Sequence, residues 1–174
     1  MKKTLILSAL LALGLHADIT LGKTLPPLTL DKANGGYFTG GAWHSAMLKG
    51  KTTMLMYVDP DEKDKGEVFK PTIEKLEREM NFKKFQIVVI LNLGATWKPD
   101  FVIKKLSQSK LKDYPKRIYV FDKKSVLSKK WGLKNDAYDV VVIDKSMKPI
   151  YSHSGKWKKE EMEKIDAVIR SNSK

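Results

Sequence analysis

Cysteine is absent from the 174-residue chain. A protein without thiols forms no disulfide, and it has no thiolate to exchange disulfides or to attack a peroxide. The fold must therefore be held by packing and hydrogen bonds alone. We expect neither thiol–disulfide exchange nor thiol-dependent peroxidase activity from this chain, and the sequence favours a protein that is not an enzyme.

Histidine is also scarce, since the chain has three and only His44 and His153 follow residue 17. Two histidines make no convincing metal site without help from carboxylates. We therefore expect no metal site and no cofactor, and we interpret both histidines as surface or hydrogen-bonded structural residues.

Only three of the 33 basic residues are arginines. They are Arg78, Arg117 and Arg170, and the lysines are spread along the whole chain. Nucleic-acid-binding proteins favour arginine and cluster their positive charge on one face. The pattern therefore argues against a nucleic-acid partner, although weak association with anionic envelope surfaces stays open.

Long hydrophobic runs are missing as well. The N-terminal apolar run from Thr4 to Leu15 has 12 residues, whereas a membrane-spanning helix needs roughly 20. The run follows Lys2 and Lys3 and precedes the small residue Ala17, which is typical of a secretory signal peptide cleaved after Ala17. We expect a signal peptide over 1–17, a periplasmic location and a single domain over 18–174. Removal of the two lysines would lower the formal net charge from +13 to +11.

Four apolar segments are predicted to be buried strands: residues 52–58, 86–93, 117–122 and 140–144. Strands that are apolar on both faces belong inside a sheet covered by helices on both sides. Helical spacing of apolar residues predicts helices between these strands and at the C-terminus. The second predicted helix starts at Pro99, and a short one ends at Gly132.

The segment before the first buried strand carries a turn signal, "DKANGG", between "LTL" and "YF". This arrangement predicts an N-terminal hairpin. A short helical turn is expected around residues 43–48. The four tryptophans, at positions 43, 97, 131 and 157, are expected to pack in the core.

Several segments in this order resemble the thioredoxin-like superfamily, especially its exported, peroxiredoxin-related branch. They are "GKTLPPLTL", "LKGKTTMLMYV", "IVVIL" and "VVVIDKSMKPIYSHSG". In addition, "WHSAMLKGK" at 43–51 and "AYDVVVIDKSMKPI" at 137–150 resemble the YtfJ family of small periplasmic proteins. The resemblance implies an α/β fold: a thioredoxin-like three-layer sandwich with an N-terminal hairpin extension.

Redox members of that superfamily carry a CxxC before a helix, with a proline five residues after the second cysteine. If Pro71 is that proline, the resemblance places the cysteine positions at Lys63 and Gly66, so "KDKG" replaces CxxC. The cis-proline that faces the thiols in those proteins corresponds to a position near Tyr138. Both parts of the redox site are missing, which implies a non-redox binding or accessory protein whose partner is a periplasmic protein or a small ligand.

The stretch "YVDPDEKDKGE" is rich in acids, and it is the candidate binding loop at the degenerate CxxC position. Its candidate residues are Asp59, Asp61, Glu62, Lys63, Asp64 and Gly66. Asp59 and Asp61 also resemble the DxD of haloacid-dehalogenase phosphatases, and the loop oxygens suit a divalent cation. A hydrolase or cation-binding protein that uses 59–67 is therefore an alternative, while a solvated loop is the interpretation that we favour.

A Ser107–Lys110 pair matches the SxxK pattern of some serine hydrolases. The companion motifs are absent from the sequence. We therefore expect Ser107 to lie on an exposed helical turn.

Overall fold

The computed structural model describes residues 18–174, so the predicted signal peptide lies outside the described residues. Eight strands form within this range. They are β1 (Thr29–Leu30), β2 (Gly35–Tyr37), β3 (Trp43–His44), β4 (Thr52–Val58), β5 (Phe85–Asn92), β6 (Ile118–Asp122), β7 (Tyr138–Ile143) and β8 (Pro149–Ser154).

Four α-helices and three 3₁₀ helices complete the described part of the chain. The α-helices are α1 (Lys70–Glu79), α2 (Asp100–Asp113), α3 (Val126–Trp131) and α4 (Lys159–Asn172). The 3₁₀ helices are Lys32–Asn34, Ser45–Leu48 and Lys63–Phe69. None of these helices is both long and apolar enough to cross a membrane.

Six strands form one mixed sheet in the order β2-β6-β5-β4-β7-β8. Strands β4, β5 and β6 are parallel neighbours, and the remaining pairings are antiparallel. All seven residues of β4 are buried. The four predicted buried strands are thus confirmed as the centre of the sheet.

Alternating side chains divide the core between the two faces of the sheet. Leu55 and Tyr57 of β4 face a cluster that includes Trp43 and helix α3. Met54 and Met56 face the opposite cluster, which contains the buried residues of α1 and α4. This layering confirms the predicted α/β sandwich, and it explains why the central strands carry so few polar residues.

The predicted N-terminal hairpin is wrong, because its two strands do not pair with each other. β1 pairs with β3, and β2 instead joins β6 at the edge of the large sheet. The turn signal at "DKANGG" forms a short 3₁₀ helix, and Gly35 and Gly36 follow it with φ angles of +127° and +129°. Only glycine adopts such angles without strain, so these residues redirect the chain to β6 instead of back along β1.

Two helix boundaries test the capping predictions. Gly132 ends α3 in the left-handed region, at φ +75°, as predicted. The prediction that Pro99 is the first helical residue is wrong, because Pro99 has extended backbone angles and α2 begins at Asp100. Pro99 still lies next to the first turn of the helix, where the missing backbone N–H of proline costs no helical hydrogen bond.

Candidate functional site

The acidic stretch after β4 begins with a buried aspartate. Asp59 is 2% exposed, and its Oδ1 accepts a hydrogen bond from the Asp61 backbone N–H at 2.8 Å. The Asp59 backbone N–H donates to the Ala137 carbonyl at 3.0 Å. Burial raises the pKa of Asp59. This residue therefore anchors the loop to the segment before β7.

Asp61 lies between two loops. Its carboxylate accepts hydrogen bonds from the Lys98 ammonium and, at 2.8 Å, from the Thr96 hydroxyl. The Lys98 hydrogen bond holds the pKa of Asp61 below its usual range. The contact ties the β4–α1 loop to the segment that leads into α2. The expectation of a solvated acidic loop is thus wrong for Asp59, which is buried, and for Asp61, whose carboxylate is held by Lys98 and Thr96.

Two further acids of the stretch pair locally with lysines. Glu62 lies 2.7 Å from Lys65, and Asp64 lies 3.1 Å from Lys63. Among residues 18–174, no group of three or more histidines and carboxylates is placed to hold a metal ion. The acids point to separate partners and do not converge as cation ligands would.

Gly66 and Tyr138, which the thioredoxin resemblance assigned to the second cysteine and the cis-proline, lie in contact. A Cβ atom added to Gly66 would be 2.2 Å from Tyr138 Cε2 and 2.4 Å from Cζ. Tyr138 opens β7 opposite Val58, and its hydroxyl donates to Met56 Sδ at 3.3 Å. Burial raises the pKa of Tyr138 to about 12, so it is a neutral phenol at physiological pH. Its ring occupies the space beside Gly66.

A groove of about 370 Å³ starts at this pair and runs between α1 and α2. The sheet supplies an apolar floor, and α1 and α2 supply apolar walls. The floor and wall residues are Met56, Val58, Val89, Leu91, Ile73 and Ile103. Five cationic side chains but only one acid, Glu67, also line the groove. The cations are Lys63, Lys70, Lys98, Lys110 and Arg117.

Arg117 closes the far end of the groove through a bidentate ion pair. Its Nε and Nη2 each donate to a carboxylate oxygen of Glu77 at 2.8 Å, and the two side chains are 10% and 12% exposed. The guanidinium lies 3.7 Å from the centre of the Tyr114 ring. Tyr114 donates in turn to Glu74 at 2.9 Å. Helix α1 is thereby joined to the start of β6 and to the end of α2.

Sequence reasoning missed Arg117 and the groove. A signal was present, because arginine is rare here and is the residue best suited to buried ion pairs. The groove itself had no comparable signal, since the residues that line it come from segments that are far apart in the chain.

The other candidate residues have structural roles. His44 hydrogen-bonds to the Thr29 hydroxyl at 2.9 Å, and His153 to the Lys156 carbonyl at 3.0 Å, as predicted. The prediction that Ser107 is exposed is wrong, because its side chain is 4% exposed and donates to the Ile103 carbonyl at 2.8 Å. Three tryptophans are buried as predicted, but Trp97 is 82% exposed.

The comparisons with known proteins agree with this architecture. The model of a family described as "Bacterial protein of unknown function (YtfJ_HI0045)" matches residues 28–172. The chain belongs to the YtfJ_HI0045 family. The resemblance to the YtfJ family is thus confirmed. No curated protein matches the chain at a significant level.

Solved structures similar to this family member are thioredoxin-like. A candidate thiol:disulfide interchange protein DsbE from Chlorobium tepidum is 18% identical, with a TM-score of 0.67 and coverage of 90% of this chain and 100% of that one. The exposed lipoprotein thioredoxin Etrx1 of Streptococcus pneumoniae is 15% identical, with a TM-score of 0.62 and coverage of 82% and 99%. BsSco, of the Sco family of cytochrome c oxidase assembly proteins, is 12% identical, with a TM-score of 0.61 and coverage of 90% and 98%. These matches confirm the thioredoxin-like fold, here in a chain without cysteine.

Gly66→Ala is expected to destabilise the protein by about 1–3 kcal/mol, because the new methyl group overpacks against Tyr138. Without that contact, alanine would stabilise a helical position relative to glycine. Urea unfolding measures the change. Val68→Ala, in the same 3₁₀ helix but 59% exposed, is the control and should stay within about 0.5 kcal/mol. The loss should shrink in a Tyr138→Ala background, and a stabilised Gly66→Ala protein would contradict the contact.

Asp139→Asn is expected to stabilise the protein more at pH 8 than at pH 4. Asp139 is 3% exposed, and its Oδ2 accepts a hydrogen bond from the Lys134 backbone N–H at 2.7 Å. Burial outweighs the hydrogen bonds and raises the pKa of Asp139. An acid whose folded pKa is raised binds its proton more tightly when folded, so stability falls as pH rises from the unfolded pKa, about 3.9, through the folded one. The amide removes this loss. Urea unfolding from pH 4 to pH 8 measures the change, with the exposed Asp64→Asn as control. If the gain in unfolding free energy from Asp139→Asn did not grow with pH, the expectation would be contradicted.

Proposed function

We propose that this protein is a periplasmic binding or accessory protein that uses the groove between α1 and α2 and transfers no electrons. The single observation that carries the proposal is the groove itself, which begins at Gly66 and Tyr138. By the resemblance, these positions correspond to the reactive site of redox thioredoxin-like proteins. A cavity of about 370 Å³ with an apolar floor lies within the range of about 300–1,000 Å³ typical of ligand pockets.

The signal-peptide pattern over residues 1–17 supports export, and the absence of cysteine supports a non-redox role. The acidic stretch supports a hydrolase less well, because Asp61 is held by Lys98 and Thr96. A binding function therefore accounts for the groove, the missing thiols and the structural role of the acids together.

Photo-crosslinking in intact cells tests the proposal. A photoreactive residue replaces Lys63, at the rim of the groove, or Lys164, which is exposed on α4 outside the groove lining. We expect crosslinked products from position 63 that disappear when Ser107→Leu fills the groove. Ser171→Leu is the matched control, because this serine also donates to a carbonyl of its own helix but is exposed. Products that are identical from both positions, or that survive Ser107→Leu, would contradict binding at the groove.

A second candidate is weak association with anionic envelope surfaces. Trp97 and Phe101 are 82% and 73% exposed on either side of the α2 N-terminus, and Lys104 and Lys105 are exposed beside them. Exposed aromatic rings next to lysines suit the interface of an anionic membrane. Salt-dependent cosedimentation with anionic phospholipid vesicles, reduced in Trp97→Ala and Phe101→Ala, would support this role, and equal binding to neutral vesicles would oppose it.

A further inference from the structure

The positive charges of the groove differ between its two ends. At the Gly66 end, Lys98 is paired with Asp61 and Lys63 with Asp64. At the Arg117 end, neither Lys70 nor Lys110 forms an ion pair with a described carboxylate. Both ammonium groups lie near Tyr114, since Lys70 hydrogen-bonds to Tyr114 and lies near Glu74, and Lys110 lies 5.9 Å from the centre of the Tyr114 ring. Neither is held in a close ion pair, so positive charge is available at the end of the groove where α2 finishes and β6 begins.

Arg117 bounds the same end and is already held by other side chains. Its Nε and Nη2 donate to Glu77, and its guanidinium also donates to the Tyr119 hydroxyl. The side chain is 10% exposed and lines the groove. Arg117 therefore shapes this end of the groove, while Lys70 and Lys110 carry the ammonium groups that a carboxylate can reach.

The body of the groove has the opposite character. Its floor and walls are aliphatic from β4 and β5 to α1 and α2, and Tyr138 bounds the other end. Burying an apolar chain there is favourable, because it removes apolar surface from water. The groove thus combines a long apolar body with one cationic end.

We propose that the ligand is a free monocarboxylate with an apolar tail, of the size of a medium-chain fatty acid. The carboxylate lies between Lys70 and Lys110, and the tail runs along the floor towards Gly66 and Tyr138. A neutral or cationic amphiphile lacks the charge that this end complements. The inference rests on the proposed binding function and specifies the ligand of the same groove.

Isothermal titration calorimetry with three probes of equal chain length tests the inference, each used below its micelle concentration. We expect dodecanoate to bind more tightly than dodecanol, and dodecyltrimethylammonium to bind weakest. Lys70→Gln and Lys110→Gln should each weaken dodecanoate about tenfold, as expected for loss of a charge-assisted contact, and should leave dodecanol unchanged. Lys75→Gln and Lys112→Gln, exposed on the same two helices but outside the groove lining, are the matched controls.

The outcomes separate this inference from the proposed function. Equal binding of all three probes, or no effect of the Lys70 and Lys110 changes, would overturn the anion site and leave an apolar groove. If no probe binds while the crosslinks from position 63 still depend on an open groove, the ligand class is wrong and the binding function stands. If the crosslinks are also independent of the groove, both fail.

Discussion

Arg117→Met is expected to lower the free energy of unfolding by about 3–5 kcal/mol, because it leaves the Glu77 carboxylate buried without its partner. The pair is bidentate, and both side chains are at most 12% exposed. The same guanidinium also packs on Tyr114. Its loss should therefore loosen the contact between α1 and the start of β6 as well as remove an ion pair. Urea unfolding gives the measurement.

Two further variants identify the cause. Arg170→Met breaks the pairs with Glu79 and Asp166, in which the side chains are 22–44% exposed, and should cost about 1 kcal/mol or less, because water can solvate the carboxylates that remain. Glu77→Leu combined with Arg117→Met removes both charges and should recover most of the loss, since an apolar pair leaves no buried charge. Similar losses from Arg117→Met and Arg170→Met, or no recovery in the double variant, would contradict this account.

Asp122→Ala is expected to cost about 3–4 kcal/mol, because one carboxylate satisfies several donors. Asp122 is fully buried and accepts from the Tyr57 hydroxyl at 3.1 Å. It also accepts from the backbone N–H groups of Lys124, Val126 and Leu127 at 3.2, 2.8 and 2.9 Å. A buried donor left without an acceptor costs about 1–3 kcal/mol. Thermal and urea unfolding should both show the loss.

Asp144→Ala is the matched control. Asp144 accepts from the backbone N–H groups of Ser146 and Lys148 at 2.8 and 2.9 Å, but in an exposed turn. Water can replace the carboxylate there, so the cost should be about 1 kcal/mol or less. If the two alanine variants lost equal stability, burial of the Asp122 network would not be the cause.

The candidate site was predicted unevenly from the sequence. The resemblance to redox thioredoxin-like proteins selected Gly66, by its spacing from Pro71, and Tyr138, by its place before the penultimate long strand. These two residues lie in contact. Whether they occupy the redox positions of the superfamily stays a prediction. The composition of the acidic stretch, in contrast, predicted the wrong environment for Asp59. Its hydrogen bond to the backbone N–H of residue 61 and its burial depend on the folded loop, and a sequence of charged residues does not indicate them.

The sequence by itself determined the central strands, the α/β layering and the exclusion of thiol chemistry. Each depends on local information: apolar runs that must be buried, helical periodicity, and a residue type that is absent. Only the tertiary structure decided three features: the pairing of β2 with β6, the bidentate ion pair of Arg117 with Glu77, and the groove between α1 and α2. Each of these joins segments that are distant in the chain, and the geometry of such contacts is set by packing and hydrogen bonding across the whole fold, which no single segment encodes.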